Sequence, residues 1–237
     1  QIESDRITSY LRNEFQKRFG GIGAGLFPVV PVSQKWTLNN EYSENWIRYV
    51  GYGKRDSLVT HNKYGALMSF CRFTPITSDS IVNEDQYFEA WIKIRKPELS
   101  YNKTKKYAQL NIYLRNSNSE IDYDILADGQ SIKSGVIYPN TSFQKLQAQF
   151  SSTPNEIEIL FKGKDSPDIF GISLEGNNGI VMDNIPLRGS SGTLFTQQNT
   201  ALLKEMYKRL SPDLIILEFG GNTVPHIKND QQVRDYG

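Results

Sequence analysis

The first residues of the chain carry apolar side chains at every fourth position. The members of this series are Ile7, Leu11, Phe15 and Phe19, with Tyr10 beside them. Side chains three to four positions apart lie on one face of a helix, so the spacing predicts an amphipathic helix over residues 4–19. Ser4 or Asp5 is expected to cap the start of this helix, and Gly20-Gly21 is expected to end it.

From Pro28 to Asn178 the helical period disappears, and apolar residues alternate with polar ones. A period of two predicts β-strands with one buried face. Turn clusters separate seven such segments, which are 46–53, 65–73, 86–94, 108–115, 122–129, 143–150 and 155–163. The phrase DIFGISLEG at 168–176 is interpreted as the closing strand. Short strands at this spacing predict an antiparallel β-sandwich of jelly-roll type, which forms a separate domain over residues 28–178.

The C-terminal part predicts a strand, a helix and a second strand. The first strand is the apolar run at 180–182, and the second is the nearly continuous apolar run at 214–219. Helical spacing between them is carried by Leu202, Leu203, Met206 and Leu210. This order favours a parallel sheet covered on both faces. Ligands of such sheets bind beyond the carboxyl ends of the strands, so the turns with Gly189 and Asn222 are predicted to form one site.

These two turns resemble two motifs of the SGNH (GDSL-type) hydrolases, a family of serine esterases with a flavodoxin-like α/β core. Gly189 in PLRGSSG matches the glycine whose backbone N–H enters the oxyanion hole of the family. Asn222, in Gly220-Gly221-Asn222, matches the asparagine whose side chain donates to the same oxyanion. The resemblance implies an α/β domain built from residues 1–27 and 179–237, interrupted by the sandwich.

The N-terminal sequence resembles one subgroup of that family. QIESDRIT followed by GGIGAGLFP has the order and spacing found in a subgroup that includes bacterial peptidoglycan O-acetylesterases. That subgroup carries an inserted sandwich that resembles a carbohydrate-binding module. The resemblance therefore implies an esterase that removes acyl groups, in the first place acetyl groups, from carbohydrate or peptidoglycan. It also implies a periplasmic or secreted protein that needs no metal or organic cofactor.

The chain departs from the family at the catalytic triad. Neither the Gly-Asp-Ser motif of the nucleophile nor the Asp-x-x-His motif of the base occurs in the 237 residues. The resemblance places these motifs before Gln1 and after Gly237, so the chain is expected to be an internal piece of a longer protein. His226 follows Asn222 by four positions, but residue 223 is Thr where the family has Asp. His226 is therefore interpreted as a loop residue near the site, and His61 as a surface-loop residue.

Two other functions stay open. A scaffold or carbohydrate-binding protein that lacks the triad fits this chain as it stands, and an acyltransferase would use the same fold. The net charge of +1 gives no electrostatic basis for nucleic-acid binding, and the sequence contains neither a signal peptide nor a membrane span. A single cysteine, Cys71, excludes an internal disulfide and a cysteine-rich metal site, and its apolar surroundings predict a core thiol.

The middle part contains two sets of candidate ligand-binding residues. The three tryptophans Trp36, Trp46 and Trp91 can stack on sugar rings, but aromatic residues of a sandwich more commonly belong to its core. We therefore predict weak binding of simple sugars by the isolated sandwich. The three acidic residues Asp122, Asp124 and Asp128 have a spacing that is compatible with calcium, although a solvated strand face and turn is the favoured interpretation.

Overall fold

The computed structural model describes residues 5–32, 38–77, 86–187, 190, 192–219 and 228–236. Its centre is a sandwich of two antiparallel β-sheets. The strands are β1 Gly25–Phe27, β2 Asn39–Tyr42, β3 Ile47–Val50, β4 Ser69–Arg72, β5 Phe88–Arg95, β6 Gln109–Arg115, β7 Ile121–Ala127, β8 Gln130–Ile137, β9 Gln144–Gln149, β10 Glu156–Gly163 and β11 Asp168–Glu175. The helices are α1 Arg6–Phe19, α2 Thr200–Leu210 and α3 Asp230–Tyr236, with a short 3-10 helix at Thr193–Gln197.

The strand order confirms the predicted sandwich. One sheet has six strands in the order β3-β4-β11-β6-β9, with β1 also paired to β11. The other has five strands in the order β2-β5-β10-β7-β8. All seven alternating segments contain a strand, and so does the segment at 168–176. The sequence pattern missed β1, β2 and β8, because a strand of three residues is too short to show a period, while NNEY and QSIKSGVI are mostly polar.

The main core lies between the two sheets. Ile92 and Ile159 of the five-stranded sheet and Ile112 and Ile172 of the six-stranded sheet are fully buried there. Cys71 is also buried in this core, as predicted, and the burial raises the pKa of its thiol to about 11. The inward-facing side chains of the two sheets therefore bury most of the apolar surface that stabilises the fold.

A second apolar cluster covers the other face of the six-stranded sheet. Phe70, Tyr113 and Phe170 contribute to it from the strands, and α2 closes it with Leu202 and Met206. The helix starts at Thr200, where the Asn199 side chain caps it by accepting a hydrogen bond from the Leu202 N–H, with 2.9 Å between the two atoms. The predicted helix is confirmed, and it packs on the sandwich rather than on a parallel sheet.

Helix α1 packs with its polar face inward. The polar side chains of Arg12, Asn13 and Gln16 are buried. The apolar series is exposed, with Ile7 at 58% and Phe19 at 57%. Gly20 ends the helix as predicted, with φ of 83°. Asp5 occupies the N-cap position, but its side chain makes no capping hydrogen bond, contrary to the prediction. The period of the sequence was therefore correct, and the face that meets the protein is the polar one.

The buried polar face of α1 binds the chain that leaves the sandwich. The Asp5 carboxylate accepts a hydrogen bond from Arg12 Nη1 over 2.9 Å, and Arg12 Nε donates to the Met182 carbonyl over 2.6 Å. Gln16 Nε2 donates to the carbonyl of Ile180 over 3.2 Å. The segments before and after the sandwich therefore meet at α1.

The strands predicted at 180–182 and 214–219 are absent from the described residues, and these residues do not form the predicted flavodoxin-like α/β core. Residues 214–217 have exposed apolar side chains, with Leu217 at 72%. A strand buried on both faces needs paired neighbours at its edges and cover above and below. Within the described ranges no strand pairs with this run, and it forms no regular secondary structure. No described helix is long and apolar enough to cross a bilayer.

Candidate functional site

The predicted oxyanion residues, Gly189 and Asn222, lie outside the described residues, and so do His226, Ser4 and Trp36. The structure shows one part of the turn around Gly189. Ser190 is buried, and its hydroxyl accepts a hydrogen bond from the Gly192 N–H over 3.1 Å. The predicted esterase site therefore stays a prediction from the sequence.

His61 is a half-buried residue that packs on an aromatic cluster. Its ring centroid lies 5.7 Å from that of Phe70 and 6.1 Å from that of Tyr64. Its Nδ1 accepts a hydrogen bond from the Lys63 N–H over 3.2 Å. Burial lowers the pKa of His61, because the protonated ring would lose its hydration there. These contacts give His61 a packing role, whereas the sequence predicted a residue of the surface loop.

The three acidic residues considered for calcium have separate surroundings. Asp128 lies in the turn between β7 and β8, where its Oδ1 accepts from the N–H groups of Asn155 and Glu156 over 2.9 and 3.0 Å. Asp124 accepts a hydrogen bond from the Ser131 hydroxyl. In the part of the chain that the structure describes, no three His, Cys, Asp or Glu side chains are grouped in a way that would hold a metal ion.

The two described tryptophans lie on opposite sides of the five-stranded sheet. Trp46 is 6% exposed and packs between the sheets, with its ring centroid 5.6 Å from that of Phe73. Trp91 is half-buried and belongs to the outer face, because its neighbours Ala90 and Ile92 face the core and strand residues alternate. The core prediction therefore holds for Trp46 and is wrong for Trp91.

Trp91 is the start of a row that crosses the outer face of the sheet. The register pairs Trp91 with Leu160 of β10, and it pairs Leu160 with Asp124 of β7. Leu160 is 36% exposed, which is unusual for a leucine in the middle of a central strand. Side chains directly opposite each other on one sheet face are in contact range, so Trp91 and Leu160 form one apolar patch.

Ion pairs border this patch on both sides along the strands. On one side Lys93 pairs with Glu158 over 3.1 Å, and on the other Lys162 pairs with Glu89 over 2.7 Å. The hydrogen bond from Lys162 lowers the pKa of Glu89, so this carboxylate stays charged at neutral pH. We call the outer face of the five-stranded sheet, on which Trp91 and Leu160 lie, the Trp91 face. It offers an aromatic ring and a leucine surrounded by charged hydrogen-bonding groups.

Comparisons with known proteins show a distant likeness to carbohydrate-binding modules. TmCBM61 in complex with β-1,4-galactotriose has a TM-score of 0.35 and 9% identity, with 58% of this chain and 86% of that chain covered. CBM35 from Paenibacillus barcinonensis has a TM-score of 0.30 and 12% identity, with 60% and 93% covered. The family 32 CBM from C. perfringens NanJ in complex with galactose has a TM-score of 0.31 and 11% identity, with 64% and 98% covered.

No protein-family model and no curated protein matches the sequence.

Proposed function

We propose that the sandwich binds carbohydrate on the Trp91 face. The observation that supports this proposal is the outward Trp91 with Leu160 beside it and ion pairs on either side. A sugar ring has an apolar C–H face and a rim of hydroxyl groups. Trp91 and Leu160 match the C–H face, and charged groups such as Glu89 and Lys93 match the hydroxyl groups. Tryptophan is enriched among the residues that carry most of the binding free energy at interfaces.

The ion pairs make the face suitable for weak to moderate affinity. Lys162 and Glu89 have exposed side chains that water already solvates, so a ligand exchanges hydrogen bonds there at little net gain. Most of the binding free energy must then come from contact with Trp91. Removal of a central tryptophan costs about 2 kcal/mol or more, which corresponds to about a 30-fold change in affinity.

Calorimetry tests this proposal. The full chain is titrated with cello-, xylo-, galacto- and chito-oligosaccharides and with soluble peptidoglycan fragments. Binding tighter than about 0.1 mM, or about −5.5 kcal/mol, with at least one of these glycans supports the proposal. Trp91→Ala should weaken this binding by about 30-fold or more. Tyr101→Ala is the matched control, because Tyr101 is an exposed aromatic residue that packs near Tyr10 of α1. Equal binding by both variants would contradict the proposal.

The motifs around Gly189 and Asn222 support a second proposal. The complete protein would be an SGNH-type esterase, periplasmic or secreted, that removes acyl groups from the glycan bound by the sandwich. The Gly189 N–H and the Asn222 amide would stabilise the oxyanion as the ester carbonyl is attacked. This proposal requires a serine nucleophile and a histidine base in addition to the motifs of this sequence. A protein with the sandwich but without the triad would retain the binding function alone.

Hydrolysis of a model acetyl ester by the full-length protein tests the esterase proposal. Asn222→Ala should lower kcat by about 100- to 1,000-fold with little change in KM, because the oxyanion contact strengthens as charge develops. Asn178→Ala, in the turn that leaves the sandwich, is the control and should leave kcat unchanged. An Asn222→Ala variant with intact kcat would show that the oxyanion assignment is wrong.

A further inference from the structure

A second exposed aromatic residue lies on the Trp91 face. Tyr87 immediately precedes β5, is 55% exposed and stands four positions before Trp91. Phe88 packs against the core, so the alternation places Tyr87, Glu89 and Trp91 on the same outer face. A strand rises about 3.4 Å per residue, which puts the attachment points of the two aromatic rings about 14 Å apart along β5.

A lysine ammonium group lies over each of the two rings. Lys93 Nζ lies 5.4 Å from the Trp91 ring centroid, and Lys164 Nζ lies 5.5 Å from the Tyr87 ring centroid. The ion pair of Glu89 with Lys162 lies between the two rings. One straight line along β5 therefore presents an aromatic ring, a charged pair and a second aromatic ring, with an ammonium donor at each ring.

We infer that this line is an extended site for a linear oligosaccharide, which lies along β5 and contacts both Trp91 and Tyr87. The inference rests on the proposed carbohydrate binding and specifies its ligand. A single sugar ring is shorter than the separation of the two aromatic residues, so only a chain of linked sugars reaches both. The sugar between them would meet Glu89 and Lys162, whose exposed side chains can exchange hydrogen bonds with its hydroxyl groups.

The open shape of the site favours the middle of a glycan chain over its end. Tyr87, Glu89 and Trp91 project from one strand of a sheet face, and the line runs on past Trp91 to Lys93 and Arg95. Among the described residues, the line along β5 therefore continues past Trp91 and does not end at a wall where a terminal sugar would have to stop. A site that selects a chain end instead needs a closed pocket around the last sugar.

The dependence of affinity on ligand length tests this inference. The full chain is titrated with one linear series, from the monosaccharide to the hexasaccharide, chosen from the glycans that bind in the first screen. Affinity should rise by about tenfold or more over the series and then level off once both rings are contacted. Tyr87→Ala should remove this gain while leaving the affinity for the shortest binding ligand unchanged. Trp91→Ala should weaken binding at every length, and Tyr101→Ala should change none of the values.

The outcomes separate this inference from the proposed function. Binding that requires Trp91 but is equal for the monosaccharide and the hexasaccharide would overturn the extended site and keep the carbohydrate proposal. A length-dependent gain that survives in Tyr87→Ala would also overturn it. If no glycan of the panel binds, both the proposed function and the extended site are rejected. Circular dichroism spectra of all three variants should match that of the parent protein, because the three side chains lie outside the core.

Discussion

The indole N–H of Trp46 donates a hydrogen bond to the backbone carbonyl of Trp91, with 3.1 Å between Nε1 and the oxygen. The Trp46 ring lies between the sheets, whereas the Trp91 ring lies on the outer face. A core residue thus positions the backbone that carries the proposed contact residue. The two tryptophans contribute to different properties of the protein, namely stability and ligand binding.

Substitution of each tryptophan should separate these two properties. Trp46→Ala leaves a large cavity and removes one of the two hydrogen bonds to the Trp91 carbonyl, which keeps the one from the Ser43 N–H. It should therefore lower the free energy of unfolding by about 3–5 kcal/mol. Trp91→Ala removes a half-solvated side chain and should cost less than about 1 kcal/mol. Urea unfolding followed by circular dichroism measures both values. A larger loss of stability for Trp91→Ala would mean that its ring belongs to the core.

The buried pair of Asp5 and Arg12 should be essential for the packing of α1. Arg12→Met removes the cation of this buried pair, which costs about 3–5 kcal/mol in comparable pairs. We expect the amide protons of α1 to exchange with solvent much faster in this variant. Lys17→Met is the control, because its pair with Glu14 is exposed to solvent and contributes little to stability. Unchanged exchange in Arg12→Met would show that the pair does not hold the helix.

Because the apolar series of α1 faces outward, a charge introduced into it should change the stability of the protein very little. Phe15→Glu should change the free energy of unfolding by no more than about 0.5 kcal/mol, because Phe15 is exposed. The same variant should bind less of a hydrophobic dye and associate less with itself at high concentration, since it interrupts an exposed apolar surface. Lys17→Glu on the same helix should leave dye binding unchanged. A loss of several kcal/mol in Phe15→Glu would place this face in contact with the protein.

The burial of His61 predicts a decrease in stability at mildly acidic pH. The pKa of His61 is lowered in the folded protein, so the unfolded chain binds a proton more readily than the folded chain does. The stabilisation that this pKa difference gives is complete above about pH 6.5, which is the His61 pKa in the unfolded chain. It decreases as the pH falls towards the lower pKa of His61 in the folded protein. Urea midpoints between about pH 7.5 and 5 should fall less steeply for His61→Gln than for the parent protein. Identical slopes would contradict this explanation.

Local patterns determined most of the strands and two helices. Ala90, Ile92 and Ile94 alternate with Glu89, Trp91 and Lys93. This alternation lies within β5, and it identifies the strand before any pairing partner is known. The same alternation contains the signal that Trp91 faces away from the core. This signal competes with the general tendency of aromatic residues in a sandwich to belong to its core, and for Trp91 the alternation is the better guide.

Other features were decided by the tertiary structure. The spacing of Ile7, Leu11 and Phe15 determined that they share one face of α1. It did not determine which face meets the protein, because a period describes relative orientation only. Arg12 and Gln16 found polar partners in the chain near Met182, about 170 positions away in the sequence, and these contacts turned the polar face inward.

The run from Leu214 to Phe219 also shows the difference between what the sequence determines and what the tertiary structure decides. Its apolar composition determined that it can form a buried strand, and this was the basis of the predicted α/β core. A strand forms only when neighbouring strands satisfy its backbone N–H and C=O groups, and those partners are long-range contacts that composition does not contain. The sequence by itself thus determined which segments alternate or repeat at helical spacing. The tertiary structure decided which of them found partners, because burial and backbone pairing depend on residues that are distant along the chain.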